Sequence, residues 1–116
     1  MKILNFGSCN IDYVYRLHHI AAPGETQKSD DLQTFAGGKG LNQSVAIAKA
    51  GGKVYHAGCI GTDGDMLLHT LQENAVDTDL LQRIAQKNGH AMIQVSETGE
   101  NAIIVYPGTN AMIRED

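Results

Sequence analysis

The chain has 116 residues, of which 42% are hydrophobic and 19% are charged, as in a soluble globular domain with one core. Its formal net charge is −4, and its basic residues are scattered, which argues against a nucleic-acid or anionic-membrane partner. No stretch approaches the roughly 18 apolar residues of a membrane span. Asn5, Asn10 and Asp12 interrupt the N-terminal apolar run before a signal-peptide core forms, so we expect a cytoplasmic protein.

The two cysteines, Cys9 and Cys59, lie far apart and belong to no CxxC or His-paired spacing. A disulfide framework or a zinc site is therefore not expected. We predict two buried thiols in a reducing compartment.

The first part of the chain predicts extended segments. Residues 2–8 predict a short strand that ends at Gly7-Ser8, and residues 12–20 predict a second extended run. Residues 28–35 follow a Pro-Gly turn signal and are polar, which fits either an exposed strand or a loop.

A helix and a buried strand follow. Apolar residues at helical spacing predict a helix over residues 41–50, which Gly51-Gly52 would end. The apolar run over residues 53–60 predicts the strand.

The second half predicts one more helix and a hairpin. Thr62 precedes Asp65 by three residues, as an N-cap pair does, and three leucines follow on one helix side. Residues 90–96 and 101–107 predict a hairpin that turns at Gly99. This order of elements predicts an α/β domain with helices packed on a largely parallel sheet.

The last residues, "GTNAMIRED", resemble the opening of another helix. A parallel sheet is normally covered on both faces, and two helices fall short of that. We therefore expect residues 1–116 to be an incomplete domain, the N-terminal fragment of a longer one.

The glycine-rich segment 35–44, "FAGGKGLNQS", does not match a nucleotide-binding loop. A Walker A loop needs Ser or Thr after its lysine, whereas Gly40 follows Lys39, and a dinucleotide fingerprint needs a third glycine where Gln43 stands. Two interpretations stay open: a turn that only starts a helix, or a loop whose backbone approaches a ligand, with Lys39 and Asn42 as polar contacts.

A second polar group follows the first predicted strand. Asn10 and Asp12 are two residues apart on an extended segment, so their side chains point to the same side. Open α/β sheets bind ligands beyond the carboxyl ends of their strands. A carboxylate accepts two hydroxyl protons and an amide both donates and accepts, so the pair suits a vicinal diol. The alternative is that both residues are turn formers.

These segments together resemble the N-terminal part of the ribokinase-like (PfkB) carbohydrate kinase family. The similarity lies in "GSCNID" (7–12), "GGKGLNQSVA" (37–46), "GENAIIVYPGTNA" (99–111) and the spacing of Gly51 and Gly61. It extends over nearly the whole chain and is far more specific than a glycine pattern alone.

The resemblance implies a ribokinase-like α/β fold with a small β-sheet lid, built from segments near 12–36 and 90–106. The lid would close over the sugar and can pair with a second subunit, so we expect a homodimer or self-association through the lid and an exposed sheet edge. Ribose would be the acceptor, phosphorylated on its primary hydroxyl. The residues that match the family's sugar ligands are Asn10, Asp12, Gly38, Lys39 and Asn42. For Gly108 and Asn110, which also match a family motif, we expect a backbone role.

The family's catalytic base, its magnesium ligands and its ATP pocket lie in a C-terminal part that these residues do not include. We therefore expect no catalytic, cofactor-binding or metal-binding residue here, with ATP and Mg²⁺ belonging to the parent enzyme and the 116 residues inactive alone. The alternative is a non-catalytic sugar-binding or dimerisation module. A nucleotide-binding domain that uses the glycine loop directly is disfavoured by the two failed motifs.

Overall fold

A computed structural model describes residues 2–112. The chain folds into strands and helices in the order that an α/β domain requires. The elements are β1 Lys2–Phe6, β2 Asn10–Arg16, β3 Asp31–Gly37, α1 Lys39–Lys49, β4 Lys53–Ile60, α2 Asp65–Glu73, β5 Leu81–Arg83, β6 His90–Val95, β7 Asn101–Tyr106 and a 3₁₀ helix Gly108–Met112.

Three strands form a parallel sheet in the order β1-β4-β5. Lys2 pairs with Lys53 and Phe6 with Ala57, so β1 runs along the first half of β4. β5 pairs with the end of β4, from Gly58 opposite Leu81. This sheet and its two helices confirm the predicted α/β class.

The other four strands form a second sheet, which we call the lid sheet, in the order β3-β2-β6-β7. Strand β2 is central: it is antiparallel to β3 and parallel to β6. Strands β6 and β7 are antiparallel, and Gly99 in their turn has φ 88°, as the hairpin prediction requires. The four strands fall on the segments near 12–36 and 90–106.

The core lies between α1, α2 and the strands that they cover. Its leucines come from the apolar sides of the two helices, where helical spacing placed them. The buried cluster consists of Cys9, Ile11, Leu41, Val54, Ile60, Leu67, Leu71 and Val76.

Several boundaries differ from the predictions. The first strand stops at Phe6 instead of at residue 8, and β2 spans Asn10–Arg16 instead of residues 12–20. The N-cap of α2 is Gly64, without a side-chain cap, so the prediction of Thr62 as N-cap is wrong.

One short element was not predicted. Strand β5 is three residues long and carries no clear alternation. The segment 108–116, which we predicted to open a helix, forms a 3₁₀ helix over Gly108–Met112, and its residues 113–116 lie outside the described residues.

Part of the parallel sheet is open to solvent. Leu4 and Phe6 point to the same side of β1, away from Asn5, and are 58% and 48% exposed. Among residues 2–112, no helix is long and apolar enough to cross a bilayer.

Candidate functional site

The first turn of α1 meets the end of β1 in a close backbone crossing. A Cβ on Gly40 would lie 2.5 Å from Ser8 N and would collide with the Gly7 carbonyl carbon. The N–H of Leu41 donates to Ser8 O at 2.9 Å. The glycine at position 40 therefore allows the helix start to sit against the loop that follows β1.

Gly38 is the N-cap of α1 and has φ 95°, in the region that glycine favours. A Cβ there would lie 2.8 Å from Ser8 O and 3.0 Å from Asn10 N. The glycines of "FAGGKGLNQS" therefore start the helix and bring its backbone against Asn10. The approach of this backbone to a ligand stays a prediction.

Asn10 and Asp12 share one side of β2, as predicted. Asn10 pairs with Gly37 in the ladder, and Asp12 pairs with Phe35. The Asp12 carboxylate lies directly over Gly37, where any Cβ would collide with it. Gly37 therefore provides the space that the carboxylate occupies.

Burial raises the pKa of Asp12 above its usual value. Within residues 2–112, Asp12 takes part in no ion pair. A half-buried carboxylate without a cation has unused acceptor capacity, which hydroxyl donors can satisfy.

Lys39 and Asn42 complete the set. They are three residues apart in the first turn of α1, so they share one side of the helix, and both are exposed. Asn42 N donates to Gly38 O at 3.0 Å, which fixes the turn. Because Gly38 contacts Asn10, the predicted residues meet around the junction of β1, β2 and α1.

Two asparagine side chains hold the backbone of Cys9, the residue before Asn10. The Cys9 N–H donates to Asn110 Oδ1 at 3.0 Å, and Asn88 Nδ2 donates to the Cys9 carbonyl at 3.1 Å. Asn88 is fully buried, and it also accepts from Gly61 N at 2.8 Å and donates to Gly89 O at 2.7 Å. The start of β2 is therefore fixed on both sides.

Gly108 and Asn110 differ in what they do. Gly108 has φ 50° and would crowd Lys87 O and Gly89 N with a Cβ, which agrees with the backbone role that we expected. Asn110 acts through its side chain instead, because its Nδ2 donates to Asn10 Oδ1 and its Oδ1 accepts from Cys9 N. The backbone role predicted for Asn110 is corrected accordingly.

A buried hydrogen-bond chain ties α1 to the parallel sheet. His56 Nε2 lies 3.1 Å from Gly7 O, which only accepts, so Nε2 carries the proton and Nδ1 accepts from Ser44 Oγ at 2.7 Å. Asn5 Nδ2 then donates to Ser44 Oγ and to Gly40 O, both at 2.8 Å. All donors and acceptors in the chain agree on one tautomer of His56.

Burial lowers the pKa of His56, and its hydrogen bond to the Gly7 carbonyl opposes that shift only in part. The neutral imidazole is therefore the form that the fold selects.

The cysteines are buried and free, as predicted. Burial, with a smaller contribution from Cys59, raises the pKa of the Cys9 thiol to about 12. Its Sγ lies 3.2 Å from His56 Nε2, a nitrogen that already donates, so the sulfur accepts weakly there. A thiol that stays protonated is a poor nucleophile, so Cys9 serves packing.

Sequence patterns did not reveal the supporting residues Asn5, His56 and Asn88, and Ser44 and Asn110 stood out only as parts of family motifs. A weak signal existed for Asn88, which stands beside a glycine between two predicted elements. Each of these residues acts through contacts between segments far apart in the chain, and periodicity carries no information about such contacts.

The assembled site offers an acceptor carboxylate, amide groups, a lysine ammonium and the N-terminus of a helix. Such a combination suits a small ligand that carries several hydroxyl groups. No cluster of three His, Cys, Asp or Glu side chains that would hold a metal ion occurs in the described part of the chain.

Comparison with known proteins identifies the family. The pfkB family carbohydrate kinase profile matches residues 1–116, which is the whole chain. The chain belongs to this family. The expected resemblance is thereby confirmed.

Curated relatives agree with this assignment. The ribokinase of Haemophilus influenzae is 37% identical over 112 residues, which cover 94% of this chain and 37% of the relative. The ribokinase of Schizosaccharomyces pombe is 39% identical over 122 residues, covering 97% of this chain and 38% of the relative. The chain thus spans little more than a third of the length of these pfkB relatives.

Solved structures show the same fold. A ribokinase from Cryptococcus neoformans var. grubii serotype A, in complex with ADP, superposes with a TM-score of 0.86 at 43% identity, covering 93% of this chain and 35% of that one. An Arabidopsis thaliana ribokinase complexed with ribose and ATP gives 0.85 at 31% identity, covering 94% of this chain and 36% of that one. The ribokinase-like fold predicted from the sequence is confirmed, with an incomplete share of it in these residues.

Proposed function

We propose that these residues form the sugar-binding N-terminal part of an ATP-dependent carbohydrate kinase, a ribokinase that phosphorylates the primary hydroxyl of ribose. The observation that carries the proposal is the half-buried Asp12 carboxylate, which has no cationic partner among residues 2–112 and lies over Gly37 at the junction of β2 and α1. The pfkB membership and the ribokinase relatives support the reaction class.

In this proposal, five residues hold the sugar. Asp12 accepts protons from two neighbouring hydroxyls, and Asn10, Lys39 and Asn42 donate to hydroxyl oxygens. Gly38 lets the backbone approach the sugar ring without a side chain. Because these groups surround the sugar on one side, they orient its primary hydroxyl for attack, and such positioning is the main contribution of a kinase to its rate.

The phosphoryl-transfer chemistry belongs to the rest of the intact protein. ATP would supply the γ-phosphoryl group and Mg²⁺ would neutralise its charge. Residues 2–112 do not fit either group, since they lack a metal-ligand cluster and their glycine turn packs against the backbone of Ser8 and Asn10. The base that deprotonates the hydroxyl is also assigned outside these residues, so the 116 residues alone are inactive.

The lid sheet is proposed to cover the sugar and to pair with a second copy of the chain. Its outer strand β7 exposes four consecutive apolar residues, which are 51–63% exposed, and β3 exposes Leu32 and Phe35. Apolar surface at a sheet edge is a usual interface between protein chains. The four β7 residues are Ile103, Ile104, Val105 and Tyr106.

A second candidate is a sugar-binding or dimerisation module without catalysis. It is favoured by the exposed apolar residues of β7 and β3, which suit an interface between two copies of the chain. In that case the site would bind the sugar, and the lid sheet would hold two copies together.

The first experiment uses the intact protein, meaning the whole translation product that contains these residues. ATP consumption is measured with ribose and with a panel of other sugars and nucleosides. We expect turnover with ribose and its loss in the Asp12→Asn variant, whereas Asn101→Ala on the exposed start of β7 should behave as wild type. Absence of turnover with every acceptor would overturn the kinase assignment.

The second experiment separates the two candidates on the 116-residue chain itself. Calorimetry with ribose and size-exclusion chromatography are performed together. Saturable binding by a discrete dimer, with no activity in the intact protein, supports the module. Aggregation without binding heat, with activity in the intact protein, supports the kinase.

A further inference from the structure

The side chain of Asn110 lies behind Asn10, on the 3₁₀ helix that follows the lid sheet. It contacts Asn10 and the backbone of Cys9, which are a hundred residues away in the chain. Gly89 makes room for it, because a Cβ at that position would collide with Asn110 Nδ2.

The backbone fixes which way the Asn110 amide points. A backbone N–H only donates, so the atom facing Cys9 N at 3.0 Å must be the oxygen of Asn110. The other end of the amide, Nδ2, then faces Asn10 and donates to it. No alternative orientation of Asn110 satisfies both contacts.

The same reasoning extends to Asn10. An atom that receives a hydrogen bond from Nδ2 must be an acceptor, so Asn10 turns its Oδ1 toward Asn110. Its Nδ2 points away from Asn110 and donates to no other described residue. The side chains of Asn10 and Asp12 share one face of β2, so this free donor and the Asp12 carboxylate lie on the same face.

We infer that Asn110 is a positioning residue that fixes Asn10 as a hydrogen-bond donor toward the sugar, opposite the acceptor Asp12. This inference rests on the proposed function for the sugar contact, whereas the orientation of the two amides does not. The site thereby requires a hydroxyl oxygen that accepts from Asn10, beside hydroxyls that donate to Asp12. Asn110 itself need not touch the ligand.

The decisive variant is Asn110→Asp in the intact protein. An aspartate keeps the acceptor for Cys9 N but places a second oxygen against Asn10 Oδ1, so Asn10 turns its amide over and presents oxygen to the sugar. One lost hydrogen bond plus one unfavourable oxygen contact should raise the KM for ribose roughly ten- to hundredfold. The kcat should change less than the KM, because Asp12, Lys39 and Asn42 still orient the bound sugar.

Mono-deoxy analogues of ribose give a readout that a merely structural role would not move. The Asn10→Ala variant first identifies the hydroxyl that Asn10 contacts. It is the hydroxyl whose removal from ribose lowers kcat/KM in the wild type but not in Asn10→Ala. Asn110→Asp should then abolish discrimination at the same hydroxyl, and Ala111→Ser on the same 3₁₀ helix should retain it. Full discrimination in Asn110→Asp would overturn the inference.

Asn10→Asp is the second variant, in case Asn110→Asp does not fold. It keeps an acceptor for Asn110 Nδ2 and removes only the donor that faces the sugar, so it should show the same loss of discrimination. Retained discrimination in Asn10→Asp would also overturn the inference.

An NMR measurement tests the amide orientation without any sugar. With asparagine labelled by ¹⁵N, the side-chain protons of Asn110 should exchange slowly with solvent, and those of Asn10 should exchange fast. Equally fast exchange at Asn110 and at the exposed Asn101 would overturn the pairing. Slow exchange at Asn110 together with no ribose turnover would instead reject the proposed function and leave the pairing intact.

Discussion

Asn88→Ala should destabilise the protein more than any other single truncation of a polar side chain at the site. The Asn88 side chain is fully buried and satisfies three backbone groups, from Gly61, Cys9 and Gly89. A buried polar group that loses its partner costs about 1–3 kcal/mol. The Gly89 carbonyl still accepts from Ile11 N at 3.1 Å, so Gly61 N and Cys9 O are the two groups that lose their partner within residues 2–112. Two such groups give a loss of at least about 2 kcal/mol in the free energy of unfolding.

Urea unfolding followed by circular dichroism measures this loss. With an m value of about 2 kcal/mol/M, the midpoint should fall by about 1 M while m stays unchanged. The matched control is Asn101→Ala at an exposed position of β7, for which we expect a change within about 0.5 kcal/mol.

Asn88→Asp sharpens the test, since it keeps the acceptor for Gly61 N but aims an oxygen at the carbonyls of Cys9 and Gly89. It should be less stable than Asn88→Ala at neutral pH and recover as the carboxyl is protonated. A loss below about 1 kcal/mol in Asn88→Ala, or an Asp variant as stable as wild type, would refute the argument.

Three other outcomes are expected. Gly37→Ala should displace the Asp12 carboxylate and raise the KM for ribose at least about tenfold in steady-state kinetics. An unchanged KM would contradict the placement of Asp12. Asp12→Asn should abolish ribose binding in calorimetry yet leave the melting temperature equal or higher, because burial raises the pKa of Asp12 and so penalises the charged carboxylate at neutral pH. A clear fall in the melting temperature would contradict this expectation. Burial lowers the pKa of His56, so below the unfolded pKa of about 6.5 the unfolded state binds the proton more tightly, and the free energy of unfolding falls as pH falls. This dependence of stability on pH should be weaker in His56→Gln, and an equal dependence would refute the argument.

Patterns of spacing predicted the elements that have a regular period. Strand β4 was predicted with the bounds that the structure has, and the helices and the hairpin were placed within a few residues. Apolar spacing identified Leu67 and Leu71, which are fully buried. These features depend on local periodicity, which the sequence displays directly.

The start of α2 and the extent of β2 were predicted less well. Thr62 has the chemistry of an N-cap, but the chain turns later, at Gly64, where Ile60 and Asn88 crowd the backbone. Asn10 and Asp12 have low strand propensity, yet the pairing of Asn10 with β3, and of Asp12 with both β3 and β6, keeps them in β2. In both cases contacts from distant segments outweigh local preference.

The sequence predicted the residues that would contact the sugar, but not the side chains that hold them in place. The family resemblance supplied Asn10, Asp12, Gly38, Lys39 and Asn42, and the structure brings their segments together, while their contact with a sugar stays a prediction. The supporting amides of Asn88 and Asn110 were not predicted as such, because their partners are backbone groups that the sequence does not distinguish from any others.

Strand β2 is shared by the site and by the lid sheet, which limits how the domain can be divided into exchangeable parts. The hairpin β2–β3 carries Asn10 and Asp12 and leads directly into Gly38. The hairpin β6–β7 carries none of the five predicted sugar residues. A chimaera that receives β6–β7 from a related kinase would therefore change its outer surface and keep its own predicted sugar residues. A chimaera that receives β2–β3 would instead take two of the donor's predicted sugar residues along with the surface.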